Sequence, residues 1–459
     1  MAVGFRHKAS HNVLVSVNCL LPIPYCLNCG LYITLMFIII IIFILGYAAI
    51  AFEHLIRINK AAVALITGVL CWTVYVFLSD SKDHVSGQLT GHLGELSQIL
   101  FFLMGAMTIV ELIDAHNGFE IITRRIKTTD KRKLLWIVAL LTFVLSSVLN
   151  NLTTAIVMIS LMRKLMGDRR DRLMMSGIIV IAANAGGVWS PIGDVTTTML
   201  WIGGQVTPAK LVIKLFLPSL VSLIVPVLLA QSFIKGSFQP SPEITHDAPG
   251  SRDTVRQKIV LFSGVSIILL VPIFQAITTL PPIMGILIGL GIIWIVTEII
   301  HSDKEEQYRK QFTVAYALRK IDTPSILFFL GILLAVAVLD STGQLLRGTA
   351  WLDVHLKDES AIAIALGILS SIVDNVPLVA ASMGMYNLNR FPTDHYFWEL
   401  LAYTTGTGGS ILIIGSAAGV AAMGIERIDF IWYLKHFSWL ALAGFFAGAV
   451  VYILQGVMF

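Results

Sequence analysis

The chain has 459 residues, 56% of them hydrophobic and only 13% charged, with a mean hydropathy of +0.82. Soluble domains carry about 25% charged residues, so too little polar surface remains here to coat a water-soluble globule. The net charge of +4 includes no basic run dense enough for nucleic acid, and the four cysteines (Cys19, Cys26, Cys29, Cys71) make no disulfide framework in so long a chain.

Residues 1–29 form a leader of uncertain status. Arg6 and Lys8 precede a mildly apolar stretch without a clear cleavage site, and Met36 opens a strongly apolar segment that is a candidate start. Cys26-Leu27-Asn28-Cys29 is a lone CxxC with no second ligand pair. Residues 30–52, 61–79, 209–234 and 436–457 are almost free of charge and long enough to cross roughly 30 Å of hydrocarbon as helices. Barrel strands would alternate polar and apolar residues instead.

Lys and Arg concentrate in cytoplasmic loops. The loop 114–133 carries Arg124, Arg125, Lys127, Lys131, Arg132 and Lys133; the loop 163–172 carries Arg163, Lys164, Arg169, Arg170 and Arg172. With both loops inside, the segment 134–162 must leave and return on one side, which predicts a re-entrant hairpin. Each arm has about 14 residues, roughly 21 Å, and the tip falls at Asn150-Asn151. The alternative, one straight helix of about 43 Å, puts a basic loop on the wrong side.

The stretch Asn184 to Asp194 follows. Gly186, Gly187, Pro191 and Gly193 cannot sustain a regular helix there. The backbone opens and frees carbonyls, which membrane depth tolerates only inside protein or along a cavity. Those carbonyls, the Asp194 carboxylate and the hydroxyls of Thr196 and Thr197 are hard oxygen ligands suited to a small alkali cation. A surface loop with a solvated Asp194 is the plainer alternative.

The hydrophilic stretch 235–257 is the linker between two related halves, 30–234 and 258–459. SSVLNNLTTAIVM from Ser146 parallels SSIVDNVPLVAASM from Ser370, offset by 224 residues. Gly186, Gly187 and Gly193 parallel Gly408, Gly409 and Gly415; Trp72 parallels Trp294; and the helix ending at Asp114 parallels the one ending at Asp340. Four matches in one order imply duplication. The second hairpin, about 359–389, is flanked by loops poor in basic residues: 341–358 holds Arg347 and Lys357, and 390–396 holds Arg390. The loops 235–257 and 301–323 hold several and read as inside. The halves therefore face opposite ways, each with about five spans, a re-entrant hairpin and a broken helix. Inverted repeats with broken helices are a secondary-transporter architecture with midplane sites.

Asp374 sits at the second tip, in apolar sequence. An ionised carboxylate is expensive there and must titrate or pair, so a cation and a proton compete for it. Capping of the following half-helix is the structural alternative. The second break, Thr404 to Ser410, offers hydroxyls only, with Ser416 where Asp194 stands in the first. Asp114 and Asp340 lie at helix ends, where acids are usually solvated. Glu111, Glu95 and the loop histidines His84, His92 and His116 are weaker candidates. No GxxxxGK[ST], HExxH or Gly-x-Ser-x-Gly occurs, and no cofactor is expected.

At SSVLNNLTTAIVM, NAGGVWSPIGDVTTTMLW, SSIVDNVPLVAASMGMY and GTGGSILIIGSAAGVAAMG the chain resembles the NhaD-type sodium/proton antiporters of the ArsB/NhaD branch of the ion transporter superfamily, over about residues 36–459. The resemblance implies exchange of sodium or lithium for protons in a bacterial plasma membrane. The family's polar motif positions fall on Ser146, Asn150, Asn151, Asn184, Asp194, Thr196, Thr197, Asp340, Ser370, Asp374, Asn375 and Ser410. Related members often read Asp-Asn in both hairpins, whereas this chain reads Asn150-Asn151 in the first. The expected site joins Asp194, Asp374, the tip amides and Thr196/Thr197, with small ions and the bilayer as partners and a homodimer as the assembly. Sodium-coupled carboxylate uptake, arsenite-type extrusion, and a membrane enzyme or sensor are the alternatives.

Overall fold

A computed structural model describes residues 26–458 except 52, 57, 80, 120, 122–127, 235, 239–250, 303–309, 348–354 and 357. Most of the leader with Cys19, the centre of the linker, and the basic residues Arg124, Arg125, Lys127 and Lys357 therefore lie outside the described residues.

The described chain is almost entirely helical, and its main helices occur twice in the same order. Three helices open the first set: α1 (Cys26–Ala51), α2 (Lys60–Leu78) and α3 (Lys82–Ala115). A pair follows, α4 (Lys131–Leu149) and α5 (Asn151–Leu165), then an interrupted pair, α6 (Arg169–Gly187) and α7 (Val195–Ile202), and finally α8 (Pro208–Ala230). The second set runs α9 (Ser251–Thr278), α10 (Pro282–Ile300) and α11 (Thr323–Ser341), then the pair α12 (Glu359–Leu369) and α13 (Asn375–Met385). The interrupted pair α14 (Tyr396–Gly408) and α15 (Ala417–Glu426) leads to α16 (Ser438–Met458).

Among the described residues, eight helices are long and apolar enough to cross a membrane: α2, α3, α4, α8, α9, α10, α11 and α16. Their outward side chains are apolar, as at Phe77 (79% exposed) and Ile277 (78% exposed), while most polar residues of the four quoted motifs are buried and Asn150, Thr153 and Asp374 are partly so. A water-soluble protein shows the reverse, since water solvates the polar groups it leaves outside and apolar groups go in. The chain is a polytopic all-α membrane protein.

Both expected hairpins form. Lys131, at the start of α4, pairs with Asp171 in the first turn of α6 at 2.8 Å. Arg163, in the last turn of α5, and Arg172 of α6 both reach Glu426, at 3.6 Å and 3.3 Å. The chain thus enters and leaves the first hairpin on one basic face, and the straight-helix alternative is excluded. The arms differ from the expected equal lengths. Asp130 caps the amides of Arg132 and Lys133, so α4 begins inside the basic run and reaches 19 residues against 15 in α5. The second pair has 11 residues in each arm. Its entry, at Glu359, lies 3.8 Å from His395 at the cap of α14, and Tyr386, just past its exit, packs tilted against Phe391 and edge-on against Phe397.

Close backbone approach locks each hairpin to its interrupted helix. A Cβ on Gly186 would collide with the Phe143 backbone, and one on Gly408 with the Gly367 backbone. The same relation recurs in hydrogen bonds: Ser146 donates to the Ala183 carbonyl and Ser370 to the Thr405 carbonyl. Both contacts repeat at the offsets that relate the motifs, 224 residues for the hairpin partner and 222 for the interrupted-helix partner.

Candidate functional site

Asp194 is 1% exposed, so the surface-loop alternative falls. It is the N-cap of α7 and accepts from the Thr196 amide at 2.8 Å and the Thr196 hydroxyl at 2.7 Å through Oδ1. Acid at a helix N-terminus also faces the positive end of the helix dipole. Oδ2 accepts from Asn151 Nδ2 at 2.6 Å. Asn375 Nδ2 lies 3.3 Å and 3.4 Å from the two oxygens. The second residue of each hairpin tip therefore reaches one carboxylate.

A polar relay leads away from it across the protein. Asn151 Nδ2 also donates to Asn184 Oδ1 at 3.1 Å, and Asn184 Nδ2 donates to the hydroxyls of Ser410 and Ser416 at 2.8 Å and 2.9 Å. Ser416 occupies in the second half the position of Asp194 in the first and caps α15 through the Gly419 amide. Capping is common to both, and only Asp194 brings a charge.

The first residues of the tips behave differently. Asn150 caps the Thr153 amide at 3.0 Å with φ 69° and ψ 160°. Asp374 caps the Val376 amide at 3.2 Å with an ordinary φ of −49°. The structural alternative for Asp374 is thus present, but its other oxygen is engaged elsewhere: Oδ2 lies 3.1 Å from Lys60 Nζ at the start of α2. Lys60 was not legible as a site residue, since a lysine at a helix end reads as an interfacial anchor. A cleft of about 400 Å³ is lined by Glu53, Lys60, Ile372, Asp374, Met423 and Gly424.

Other expected residues fall in supporting places. The Thr197 hydroxyl donates to the carbonyls of Ser190 and Asp194, and Thr198 to those of Pro191 and Asp194; they satisfy the opened backbone rather than face the Asp194 carboxylate. Asp114 and Asp340 are exposed at helix ends, Glu95 is 78% exposed 3.9 Å from His92, and Glu111 is half-buried. The Asp194 carboxylate draws its hydrogen bonds from Asn151, Asn375 and Thr196, without these acids. His84 is exposed, His92 meets the Ser341 hydroxyl at 3.0 Å, and His116 is buried against His301. Among the described residues no group of three His, Cys, Asp or Glu side chains could hold a metal ion. Asp194 is instead a single carboxylate among amides and a hydroxyl, and Asp374 a carboxylate between an amide and an ammonium; hard oxygens of this kind can exchange a weakly held hard cation or a proton.

Paired hairpins, interrupted helices and buried single carboxylates in a helical membrane protein are the architecture of a secondary transporter. A family model described as "Citrate transporter" matches residues 47–408. "Sodium/proton antiporter 1" of Arabidopsis thaliana is 47% identical over 415 residues, 90% of this chain and 71% of the relative. "Sodium/proton antiporter 2" of the same plant is 46% identical over 90% of this chain and 98% of its own length. "Na(+)/H(+) antiporter NhaD" of Alkalimonas amylolytica is 29% identical over 91% and 90% of the two chains. The chain belongs to this transporter family, among the NhaD-type antiporters.

Proposed function

We propose that the protein exchanges sodium, and lithium as its smaller congener, for protons by alternating access. The observation that carries this reading is the convergence of Asn151 and Asn375 on Asp194. Amides oriented by two separate hairpins hold one buried carboxylate, so a movement of either hairpin changes its surroundings and its access. Sodium and proton both need those oxygens and take turns on them. Asp374, at the neighbouring position of the same tip, supplies a second carboxylate open to the cleft.

The halves 30–234 and 258–459 act as inverted repeats in this proposal. α2 and α11 cross in parallel: Lys60 lies over Phe328, Ala64 against Gly331, and Trp72 donates to the Leu334 carbonyl. α2 and α3 run antiparallel, with the Tyr75 hydroxyl donating to Gln88 and Trp72 beside His92, so α2 opposes its own counterpart α10 if α10 and α11 alternate likewise. That supports inversion. A homodimer is the proposed assembly, measurable by light scattering in detergent.

Identities of 47% and 46% to Arabidopsis proteins against 29% to a bacterial one favour a plant-type cell over the bacterial plasma membrane as the setting. A fluorescent fusion imaged in the source cell tests this. For transport, everted vesicles with a pH-sensitive dye receive sodium, lithium, potassium and citrate in turn. Sodium and lithium are expected to release a proton gradient, citrate and potassium not. A response to citrate alone would replace exchange by carboxylate transport.

A further inference from the structure

Lys60 is fixed before it meets anything. Its own amide donates to Glu53 Oε1 at 3.1 Å, and Asn59 caps the next amide, Ala61, at 2.8 Å. The side chain then crosses from α2 to the second hairpin, where Nζ lies 3.1 Å from Asp374 Oδ2 and 4.4 Å from the centre of the Phe328 ring. The two side chains are 20% and 13% exposed, and both line the cleft of about 400 Å³. Asp374 is therefore a carboxylate within reach of a cation in this cleft, and it is already occupied by a cation of the protein's own.

A carboxylate at this depth is costly unpaired. A single lone cation beside it relieves that cost, and either an ammonium or an alkali ion can serve. An ammonium at the tip of four methylenes also leaves easily, which a planar guanidinium with several fixed donors does not. The other Asp374 oxygen already accepts from the Val376 amide, so the oxygen that Lys60 holds is the one a displaced ammonium frees for an incoming sodium ion. We propose that Lys60 is the resident counter-ion of Asp374, and that the transported cation binds by displacing the Lys60 ammonium into the cleft. The carrier then never carries a bare carboxylate: the empty site is a lysine–aspartate pair and the loaded site a sodium–aspartate pair. No covalent bond changes in the step; one cation replaces another. The inference rests on the exchange reading above and adds a residue and a competition to it.

The test is equilibrium binding of radioactive sodium to the purified full chain in detergent, for wild type, Lys60→Gln and Lys60→Arg. Removing the competitor makes Lys60→Gln bind sodium about tenfold more tightly, the size of a partly buried ion pair. Lys60→Arg, which holds the carboxylate by more donors, binds about tenfold more weakly. A purely structural ion pair gives the opposite ranking, with Arg rescuing wild-type behaviour and Gln losing binding. Equal affinities in all three overturn the proposal. Should Lys60→Gln not fold, weaker binding by Lys60→Arg supports the proposal and unchanged binding overturns it. Sodium-driven proton flux in wild-type proteoliposomes separates the two failures. Flux with binding indifferent to Lys60 removes only the competition, whereas no flux removes the exchange reading and this inference together.

Discussion

Asn151 and Asn375 stand at the same position of two hairpins and both donate to Asp194, at 2.6 Å and 3.3 Å. A sequence duplication normally gives two copies of a site. Here it gives one asparagine from each hairpin on a single carboxylate, like two hands, because the counterpart of Asp194 is Ser416, which keeps the capping bond and lacks the charge.

Asp194→Asn separates those two properties. Asn is as good an N-cap as Asp, so α7 keeps its start and the protein folds. The negative charge is lost. Sodium-dependent proton flux in everted vesicles is expected to fall at least about tenfold, since a charged hydrogen-bonding partner is worth roughly 1.5–3 kcal/mol. Wild-type flux in a well-expressed Asp194→Asn protein would remove Asp194 from the mechanism.

The two hands are unequal. Asn151 lies closer and also bridges to Asn184, whereas Asn375 makes longer contacts with the same carboxylate. Both Asn151→Ala and Asn375→Ala weaken sodium binding, and the Asn151 variant does so more. Its loss also leaves Asn184 Oδ1 without the Asn151 donor, and unsatisfied buried groups cost about 1–3 kcal/mol. Half-saturating sodium concentrations from the vesicle assay give the order directly.

Much of this was legible in the sequence because it is written in backbone chemistry. Pro191 and Gly193 fall in the break between Gly187 and Val195, although α6 runs on through Asn184, Gly186 and Gly187, so the helix opens later than the glycines suggest. The basic residues around 134–162 require both ends on one side, and the ion pairs at Lys131, Arg163 and Arg172 place them there. Arm lengths were missed because Lys131, Arg132 and Lys133 read as loop, although Asp130 caps them into α4. Lys60 was missed for a different reason. Its partner is 314 residues away, and no local pattern marks a long-range pair. Thr197 had the right chemistry for a ligand, but its hydroxyl answers the carbonyls that the break exposes.

The glycines that lock the hairpins make a sharper structural prediction. Gly186→Ala and Gly408→Ala each drive a methyl group into backbone, at Phe143 and Gly367, where no rotamer change gives relief. Overpacking of that kind typically costs about 1–3 kcal/mol. Both variants are expected to lose monodisperse protein in fluorescence-detected size exclusion after mild heating. Gly87→Ala, with nothing within 4 Å of the new atom, behaves as wild type. Equal behaviour of all three would mean that the close approach of hairpin and broken helix is not maintained in the bilayer.

The tip at Asn150 carries a conformational cost that its counterpart does not. Its φ of 69° and ψ of 160° lie in a region that suits glycine almost alone, at about 1–3 kcal/mol for other residues. Asp374 adopts an ordinary conformation at φ −49° and ψ 138°. Replacing Asn150 by Gly forfeits the bond to the Thr153 amide, a loss of only a few tenths of a kcal/mol for Gly at an N-cap, and relieves the larger backbone cost. Asn150→Ala loses the cap, about 1 kcal/mol, and keeps the strain. Apparent melting temperatures in detergent should therefore rank Gly above wild type and Ala below it. If the strain at this tip helps the first hairpin to change position, as strained segments at functional sites often do, the more stable Asn150→Gly protein exchanges more slowly at saturating sodium. A Gly variant that melts below wild type would show that the Thr153 cap outweighs the backbone, and that the tip is held by its hydrogen bond rather than poised against it.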